Sequence, residues 1–473
     1  MNYLHWLVII LHSTISVVAA GHALVWKRDP RAALGWIAVC LVFPLGGPVL
    51  YFLFGVNRIR TRAVKLQRYF LVRWPNRGDD DTVEDTAAAL PPSLSEIVAI
   101  SSAVSRRPIV SGNTIELLHN GEQAYPAMLA VVDSARRYLY LSTYIFETNA
   151  TGRQFIAALK RAVNRGVDVR VIVDGIGELY SLPRAGTLLK KSAVRVQRFL
   201  PPRLIPPALH INLRNHRKLL VCDDRVGFVG GMNIGDRHLA GALENPRRVI
   251  DLHFCLRGPI AHQLRQVFLE DWVFCSGEAL PSVCPARDSS GPAACRAIVD
   301  GPNDDLDKLS AIIFGAVSTA RRRVWIMTPY FLPSRELTAA LQNAALRGVD
   351  VSVLLPGRNN LPFVHWATAK MLWQLLQKGA RVYYQPPPFV HSKLFIIDDH
   401  YSQIGSANID PRSLRLNFEL AVEVYGEAVN SVLAPHFKQC LNAARPVTFE
   451  EVEARSIPVR IRDGLAWLFS PYL

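Results

Sequence analysis

The sequence lacks the cysteine and carboxylate patterns that would define a disulfide framework or a metal centre. Its seven cysteines are scattered, with no C-x-x-C pair and no Cys/His array at zinc spacing. An odd, unpatterned cysteine count is typical of proteins from a reducing compartment. Neither an H-x-x-x-H motif nor a cluster of carboxylates suited to a metal occurs, so the sequence predicts no metal and no other cofactor.

Acidic residues are the scarcer charge, with 39 Asp and Glu against 54 Lys and Arg, which gives a net charge of +15. A basic surface attracts nucleic acid and anionic lipid alike, so charge alone does not choose between these partners. The 473 residues are enough for two or three domains. The hydrophobic fraction of 50% is ample for large cores and indicates membrane-spanning segments in addition.

Charged residues are absent from residues 1–26 and again from 32–57. The apolar stretch Tyr3–Trp26 has 24 residues, enough to cross a hydrocarbon core of about 30 Å. We therefore predict two N-terminal transmembrane helices, although Pro44 and the glycines that follow it allow the second to be kinked or re-entrant. A signal peptide over residues 1–23 is the alternative, but the sequence lacks the basic start that such a peptide needs.

Basic residues follow the second apolar stretch. Seven lie between residues 58 and 77, against three in the short loop between the two apolar stretches. Because the more basic flank of a membrane segment stays in the cytoplasm, we predict the catalytic body on the cytoplasmic side. The same cluster is also suited to binding anionic headgroups. Acidic residues at 79–85 then indicate a solvated linker.

One motif occurs twice. It reads H-x-K-x4-D-x6-G-[GS]-x-N and begins at His216 and again at His391. The same spacing of 175 residues separates the two His, Lys, Asp and Asn. The apolar run after each lysine predicts a buried strand, along which side chains alternate. Each histidine therefore shares a face with a lysine about 7 Å away, namely Lys218 or Lys393.

The repeat extends beyond this motif. A strand, a helix and a strand are predicted before the first copy, at Tyr138–Phe146, Arg153–Asn164 and Val167–Asp174. The same order is predicted before the second copy, at Val324–Leu332, Glu336–Leu346 and Val349–Pro356. The segment Arg-Gly-Val-Asp-Val occurs at the same place in both halves. The fold class is therefore α/β, with an internal duplication of roughly 150-residue units.

Four parts of the chain are predicted from these features. They are a two-span membrane anchor, a basic juxtamembrane segment with an acidic linker, and two α/β lobes, at residues 1–57, 58–92, 93–290 and 291–473. The joint between the lobes is expected in the stretch 281–295, which is rich in Pro, Ser and Cys.

The twin motif has the groups that displacement at a phosphodiester needs. Lys218 and Lys393 would neutralise the non-bridging oxygens. Asn233 and Asn408 would donate amide hydrogen bonds to the same oxygens, unless they are only turn residues. One neutral imidazole would attack phosphorus and form a phospho-histidine. The other, protonated, would release the leaving alkoxide and then activate the incoming hydroxyl.

Carboxylates are expected to fix the tautomers of the two histidines. Candidates lie one strand on from each motif, namely Asp251 and Glu419, and the alternative for each is an exposed strand-end carboxylate. The motif aspartates, Asp223 and Asp398, face away from the histidines by strand alternation. We therefore predict that these two lock the following loop and carry no protons.

The twin motif resembles that of the phospholipase D superfamily, over about residues 93–445. Within this superfamily the sequence is similar to bacterial membrane-anchored cardiolipin synthases. The similarity lies in the two N-terminal apolar stretches and in three further segments, Pro44–Tyr51, Asn212–Lys218 and Asp410–Leu414. The resemblance implies two α/β sandwich lobes that form one active site, and catalysis without metal. By position it implies the catalytic set His216, Lys218, Asp223, His391, Lys393 and Asp398. Gly231 departs from the serine of the second copy, Ser406.

The resemblance also implies a reaction and a location. A phosphatidyl group would pass from one phosphatidylglycerol to another, with release of glycerol and formation of cardiolipin, and His216 would be the nucleophile and His391 the acid. The expected partners are phosphatidylglycerol and anionic membrane lipids, with no nucleic acid, and the expected location is the bacterial cytoplasmic (inner) membrane, as a multi-pass protein. Phosphatidylethanolamine as the second lipid stays open, as does the oligomeric state.

Three rival functions are considered. A hydrolytic phospholipase D would differ only in its acceptor, which is water. A nuclease of the same superfamily would not need membrane spans. A pseudo-enzyme acting as a membrane scaffold would be free to lose a histidine or lysine, yet both motifs are complete.

Overall fold

The computed structural model describes residues 3–27, 30–55, 86–87, 90–105, 107–202, 213–278, 291–302 and 305–470. The chain divides into two compact units, residues 1–66 and 67–473. The predicted basic cluster at 58–77 and the acidic linker at 79–85 lie outside the described residues.

The first unit is built from short helical pieces around one long helix. It contains α1 (Tyr3–Trp26), α2 (Pro30–Val42) and α3 (Gly46–Leu50), followed by a π-helical turn at Tyr51–Gly55. Within the described part of the chain, α1 is the one helix long and apolar enough to cross a membrane. The chain turns after α2 because Pro44 has no N–H to donate and its ring clashes with the carbonyl four residues earlier.

The prediction of two transmembrane helices is therefore not confirmed. The second apolar stretch is broken after the 13 residues of α2. Its pieces pack back on α1 and on each other. The His22 ring shares a hydrogen bond of 2.8 Å with the Tyr51 hydroxyl. Gly47 permits a close approach, because a Cβ there would lie 2.2 Å from the Val39 carbonyl oxygen.

The second unit is a mixed α/β structure. Its strands are β1 (Val110–Gly112), β2 (Thr114–His119), β3 (Tyr138–Thr143), β4 (Asp168–Asp174), β5 (Arg195–Phe199), β6 (Leu219–Cys222), β7 (Val226–Gly230), β8 (Val249–Ile250), β9 (Leu252–Arg257), β10 (Gly291–Asp300), β11 (Arg323–Met327), β12 (Asp350–Pro356), β13 (Arg381–Gln385), β14 (Phe389–Val390), β15 (Leu394–Ile397), β16 (Tyr401–Gly405), β17 (Glu419–Tyr425) and β18 (Arg445–Val447). Its helices are α4 (Ser95–Val104), α5 (Asn120–Ser134), α6 (Ala150–Asn164), α7 (Ala185–Lys190), α8 (Ile260–Ser276), α9 (Lys308–Thr319), α10 (Arg335–Leu346), α11 (Pro362–Leu376), α12 (Glu427–Ala443), α13 (Phe449–Glu453) and α14 (Ile457–Leu468).

The predicted duplication is visible in the sheet topology. The first sheet has the order β2-β9-β7-β6-β3-β4-β5, and the second has the order β1-β10-β17-β16-β15-β11-β12-β13-β18. In both, three parallel strands (β3, β4, β5 or β11, β12, β13) continue into antiparallel neighbours. The strands and helices predicted before each motif are present with ends shifted by a few residues, the longest predicted strands being shorter in the structure.

Each sheet has its own hydrophobic core. The first core lies between its sheet and α5, α6 and α7, with Phe155, Leu159 and Val171 fully buried. The second lies between its sheet and α4, α9 and α10, with Ile312, Leu341 and Val353 fully buried. Burying a side chain of this size contributes roughly 1.5–3 kcal/mol, so the two cores position the motif strands rigidly.

The same helix end occurs in both halves. Gly166 and Gly348 follow α6 and α10 with φ of +86° and +85°. A left-handed residue after a helix favours glycine, because a Cβ would be strained there. The repeated Arg-Gly-Val-Asp-Val segment therefore marks the turn from helix to the next parallel strand.

One segment that precedes the first lobe in the chain packs in the second lobe. Residues 93–112, which the sequence analysis assigned to the first lobe, pack with the second: β1 pairs with β10, and Ile97 of α4 lies in the second core. The chain enters the second lobe, returns to build the first, and re-enters the second at β10. Local periodicity predicts a strand or helix but does not specify which sheet it joins.

The motif aspartates accept hydrogen bonds from the backbone segments that lead into β3 and β11. Asp223 accepts hydrogen bonds from the N–H groups of Arg136, Arg137 and Tyr138, each at 2.9 Å. Asp398 accepts from Arg321, Arg322 and Arg323 in the same way. The predicted structural role fits these contacts, but the loop concerned is the one that enters β3 or β11, not the one that follows the motif.

We predict that Asp398→Ala destabilises the protein by about 1–3 kcal/mol, because three backbone donors lose a charged acceptor. Thermal unfolding of the full chain in detergent measures this. The control is Asp133→Asn, which removes only exposed ion pairs, those with Arg161 and Arg165. An Asp398→Ala transition no lower than that of the control would contradict the role.

Candidate active site

The two motif histidines lie where the lobes meet. The His216 N–H donates to the Phe418 carbonyl of the other lobe at 2.9 Å. The His391 N–H donates to the Ile250 carbonyl at 2.7 Å, next to the pairing of β14 with β8. Each histidine-bearing segment is therefore attached to the opposite lobe by backbone hydrogen bonds, which brings both motifs into one site.

The two carboxylate partners are also exchanged between the lobes. His216 Nδ1 lies 2.9 Å from Glu419 Oε1, and His391 Nδ1 lies 2.8 Å from Asp251 Oδ2. Both carboxylates are fully buried. The predicted candidates thus contact the histidines, but each serves the motif of the other half. An ionised carboxylate only accepts, so each Nδ1 carries the proton and each Nε2 keeps its lone pair.

Two buried lysines flank the histidines. Lys218 and Lys393 are 2% and 5% exposed. Lys218 Nζ donates to the carbonyl of His216 at 2.7 Å, and Lys393 Nζ lies 3.1 Å from Nε2 of His391. Burial lowers the pKa of Lys218 well below its ordinary value and lowers that of Lys393 to about 8, although carboxylates nearby favour the charged forms. An anionic substrate that replaces lost hydration would restore the charge of both lysines.

The charges of both halves act on both histidines. Burial, and then Lys218 and Lys393, lower the pKa of His216 well below its ordinary range. The same causes, with the two lysines in reverse order, lower the pKa of His391. Burial raises the pKa of Glu419 to about 7. These charges favour neutral imidazoles, and a bound phosphate would offset the lysine charges and raise the proton affinity of one of them.

The two asparagines make different contacts. Asn233 Oδ1 accepts from the N–H of Ile145 at 3.1 Å, which leaves its NH₂ group as the donor. Asn408 instead donates from Nδ2 to the Ser413 hydroxyl at 3.1 Å. The predicted role as equal phosphate donors stays a prediction, and Asn233 has the geometry that fits it better.

The departure at Gly231 has a steric cause. Ser406 donates from Oγ to Glu419 Oε2 at 2.5 Å. At Gly231 a Cβ would lie 2.5 Å from the carboxylate of Asp251. The shorter aspartate thus occupies the space that serine fills in the other half.

Sequence reasoning missed an arginine in each half. Arg237 and Arg412 both stand four residues after the motif asparagine and keep the spacing of 175. Arg237 forms an ion pair with Glu147. In the other half Leu332 takes the place of that glutamate. The Glu147 N–H donates to the Ile234 carbonyl, and the Leu332 N–H donates to the matching carbonyl of Ile409. The spacing itself was the signal that could have found this pair.

Arg412 has no such partner in the described part of the chain, although its charge acts on the buried Asp410 two residues before it. Among the residues that the structure describes, no carboxylate forms an ion pair with it, and its charge acts on His216 and on Tyr144 and Tyr330. The rings of these tyrosines pack edge-on against the histidines, at centroid distances of 5.4 Å for Tyr144 with His216 and 6.2 Å for Tyr330 with His391. The site therefore has one more cation than the motifs alone indicate.

Comparisons with known proteins agree with this arrangement. A family model described as cardiolipin synthase, PLD-like domain, matches residues 128–272 and 313–441, and one described as phospholipase D-nuclease N-terminal matches 14–55. The major cardiolipin synthase of Bacillus subtilis is 30% identical over 94% of this chain and 95% of its own. Cardiolipin synthase A of Pseudomonas entomophila is 31% identical over 97% of this chain and 96% of its own. The crystal structure of phosphatidylserine synthase from Haemophilus influenzae covers 80% of this chain and 100% of its own, with a TM-score of 0.62 at 14% identity, and shows the same fold.

The duplicated lobes and the twin motif define a protein of the phospholipase D superfamily. Within that superfamily the chain belongs to the cardiolipin synthases, which are phosphatidyltransferases.

We predict a bell-shaped pH profile for kcat/KM, which reports the free enzyme. Glu419, with its raised pKa of about 7, is ionised only above that pH, and its protonated form would hold His216 in the wrong tautomer. Lys393, with its lowered pKa of about 8, is charged only below that pH. Activity should therefore be highest between about pH 7 and 8 and fall on both sides. A profile that is flat from pH 6 to 9 would contradict these assignments.

Proposed function

We propose that the protein synthesises cardiolipin by transferring a phosphatidyl group from one phosphatidylglycerol to another, with release of glycerol, through a phospho-histidine. The observation that carries the proposal is the pairing of two histidines from different lobes. Each has Nδ1 bound to a buried carboxylate and lies beside two buried lysines, and Nε2 of His391 is 3.1 Å from Lys393 Nζ. A tetrahedral phosphorus between the two Nε2 atoms would meet a nucleophile on one side and an acid on the other.

In the first step His216 Nε2 attacks the phosphorus of the first lipid and the bond from phosphorus to the glycerol oxygen breaks. His391, protonated when the anionic substrate binds, gives its proton to that oxygen. Lys218 and Lys393 offset the charge of the non-bridging oxygens, and the Asn233 amide donates to them. The products are glycerol and a phosphatidyl group on His216.

In the second step the hydroxyl of a second phosphatidylglycerol gives its proton to the now neutral His391. Its oxygen attacks phosphorus, the bond from phosphorus to nitrogen breaks, and His216 is regenerated. The acceptor alone separates this reaction from hydrolysis, because water entering at the same position would give phosphatidic acid.

The N-terminal part of the chain bears on the location of the protein. One apolar helix of spanning length and the N-terminal family match indicate membrane association. We propose that the protein is multi-pass in the bacterial cytoplasmic membrane with its catalytic unit in the cytoplasm, on the strength of the basic residues between 58 and 77.

We predict that His216→Ala and His391→Ala each lower product formation by about a thousandfold or more, since each removes one of two required groups. Purified protein is incubated with phosphatidylglycerol and the lipid products are identified. Unaltered thermal unfolding of both variants is the control for folding. Near-normal turnover in either variant would refute the two-histidine scheme, and phosphatidic acid as the sole wild-type product would favour a hydrolase.

Arg412 gives the site a further cationic position, which fits a reaction that brings two anionic lipids together. We predict that Arg412→Gln lowers the ratio of cardiolipin to phosphatidic acid by roughly 10- to 150-fold, the loss expected for one charge-assisted hydrogen bond of ~1.5–3 kcal/mol to the acceptor phosphate. The control is Arg415→Gln. Arg415 lies in the same helical turn as Arg412, but it is exposed and paired with Asp307. Equal loss of both products would place Arg412 in the first step instead.

A further inference from the structure

The last described helix presents an apolar face to solvent. Ile457, Ile461, Leu465 and Leu468 of α14 recur at helical spacing, and they are 73%, 57%, 55% and 64% exposed. The opposite side of the helix is anchored, because Ala466 is fully buried against α11. A surface helix of a soluble protein normally turns its polar side outward. A firmly packed helix with an apolar stripe facing out therefore marks an interaction surface.

This stripe borders the active site. Ala466 belongs to the same small cluster as Leu332, and Tyr330 packs against that cluster. The Tyr330 ring in turn contacts His391. On the same side of the helix pair, the half-exposed rings of Phe363 and Phe469 lie 5.8 Å apart and extend the stripe.

The first lobe has a corresponding apolar segment. Leu179, Tyr180 and Leu182 are 45%, 58% and 80% exposed. The Tyr180 ring lies 6.3 Å from that of Tyr144, which packs on His216. In the first lobe an exposed apolar group is thus separated from His216 by a single aromatic ring, and in the second lobe α14 is linked to His391 through Tyr330 and the buried cluster that contains Ala466. We call the two segments together, residues 179–182 and the exposed face of α14, the apolar rim.

Positive charge accompanies the rim. The side chains of Arg460 and Arg462 on α14 are 48% and 44% exposed, and Arg460 also forms an ion pair with Glu453 of α13. Within α14 these two arginines exceed the single carboxylate, that of Asp463, which Arg462 shares with Arg455 of the preceding turn. Apolar side chains edged by arginine are the pattern of a segment that lies in the interface of an anionic bilayer.

We propose that the apolar rim docks the catalytic unit on an anionic lipid bilayer, so that headgroups reach His216 and His391 while their acyl chains stay in the membrane. The proposal rests on the function proposed above for its substrates, since a lipid enzyme gains from a site that opens at the lipid surface. It does not depend on which lipid is the acceptor.

Photocrosslinking tests the docking directly and without reference to the product. The full chain, with a photoreactive residue at Leu465, is reconstituted in phosphatidylglycerol vesicles that carry a tagged acyl chain. The matched control is Leu346, which is 67% exposed at the end of α10. A lipid adduct at position 465 and none at 346 is the expected result. An adduct with a second copy of the chain, or no adduct at 465, would overturn the proposal.

Activity gives a second measurement. Leu465→Ser with Leu468→Ser should lower cardiolipin formation about tenfold in vesicles yet leave it within twofold of wild type in mixed detergent micelles, where lipids exchange into the site through solution. Leu346→Ser should change neither. Equal loss in vesicles and micelles would show a structural role and overturn the docking. If the wild type made no cardiolipin in either medium, the proposed function would fail while the crosslinking result would still stand.

Discussion

The site depends on two hydrogen bonds that cross between the lobes, from His216 to Glu419 and from His391 to Asp251. Each lobe supplies one imidazole and the acceptor that fixes the other lobe's imidazole. Neither half therefore contains a histidine together with its carboxylate, and the proposed chemistry needs both lobes. The elements β1 and α4 precede the first lobe in the chain but pack in the second lobe. The second lobe is therefore built from segments on both sides of the first lobe in the sequence.

The duplication is not fully symmetric, and the differences fall at the site. Glu419 is supported by Ser406, whereas Asp251 lies against Gly231 and near the buried His238, whose Nδ1 is 4.0 Å away. Arg237 forms an ion pair with Glu147, whereas its counterpart Arg412 forms no ion pair with any carboxylate that the structure describes. Two histidines with the same partners would titrate alike, but a two-step transfer needs one nucleophile and one proton carrier. Unequal surroundings provide a physical basis for unequal roles.

The sequence predicted what repeats locally. Apolar periodicity and a constant spacing of 175 residues can be recognised in the chain itself. They predict the twin motif, the strand–helix–strand order before it and the two carboxylates. The sequence did not predict which half each carboxylate serves, because contacts between segments some 140 to 200 residues apart leave no local pattern. The second membrane helix is not confirmed, because α2 ends after 13 residues, before the Pro44 break that the sequence already marks as a possible kink. Arg237 and Arg412 were overlooked although they kept the spacing of the motif.

Isolation of the intermediate tests the central claim most directly. Full-length enzyme is mixed with phosphatidylglycerol labelled at phosphorus, quenched in alkali, in which a bond from phosphorus to histidine survives, and digested to map the label. The account predicts labelled His216 in the wild type, much slower labelling of His216 in His391→Ala, and no label in His216→Ala. Label on both histidines, or product formed at the normal rate with no labelled histidine, would contradict it.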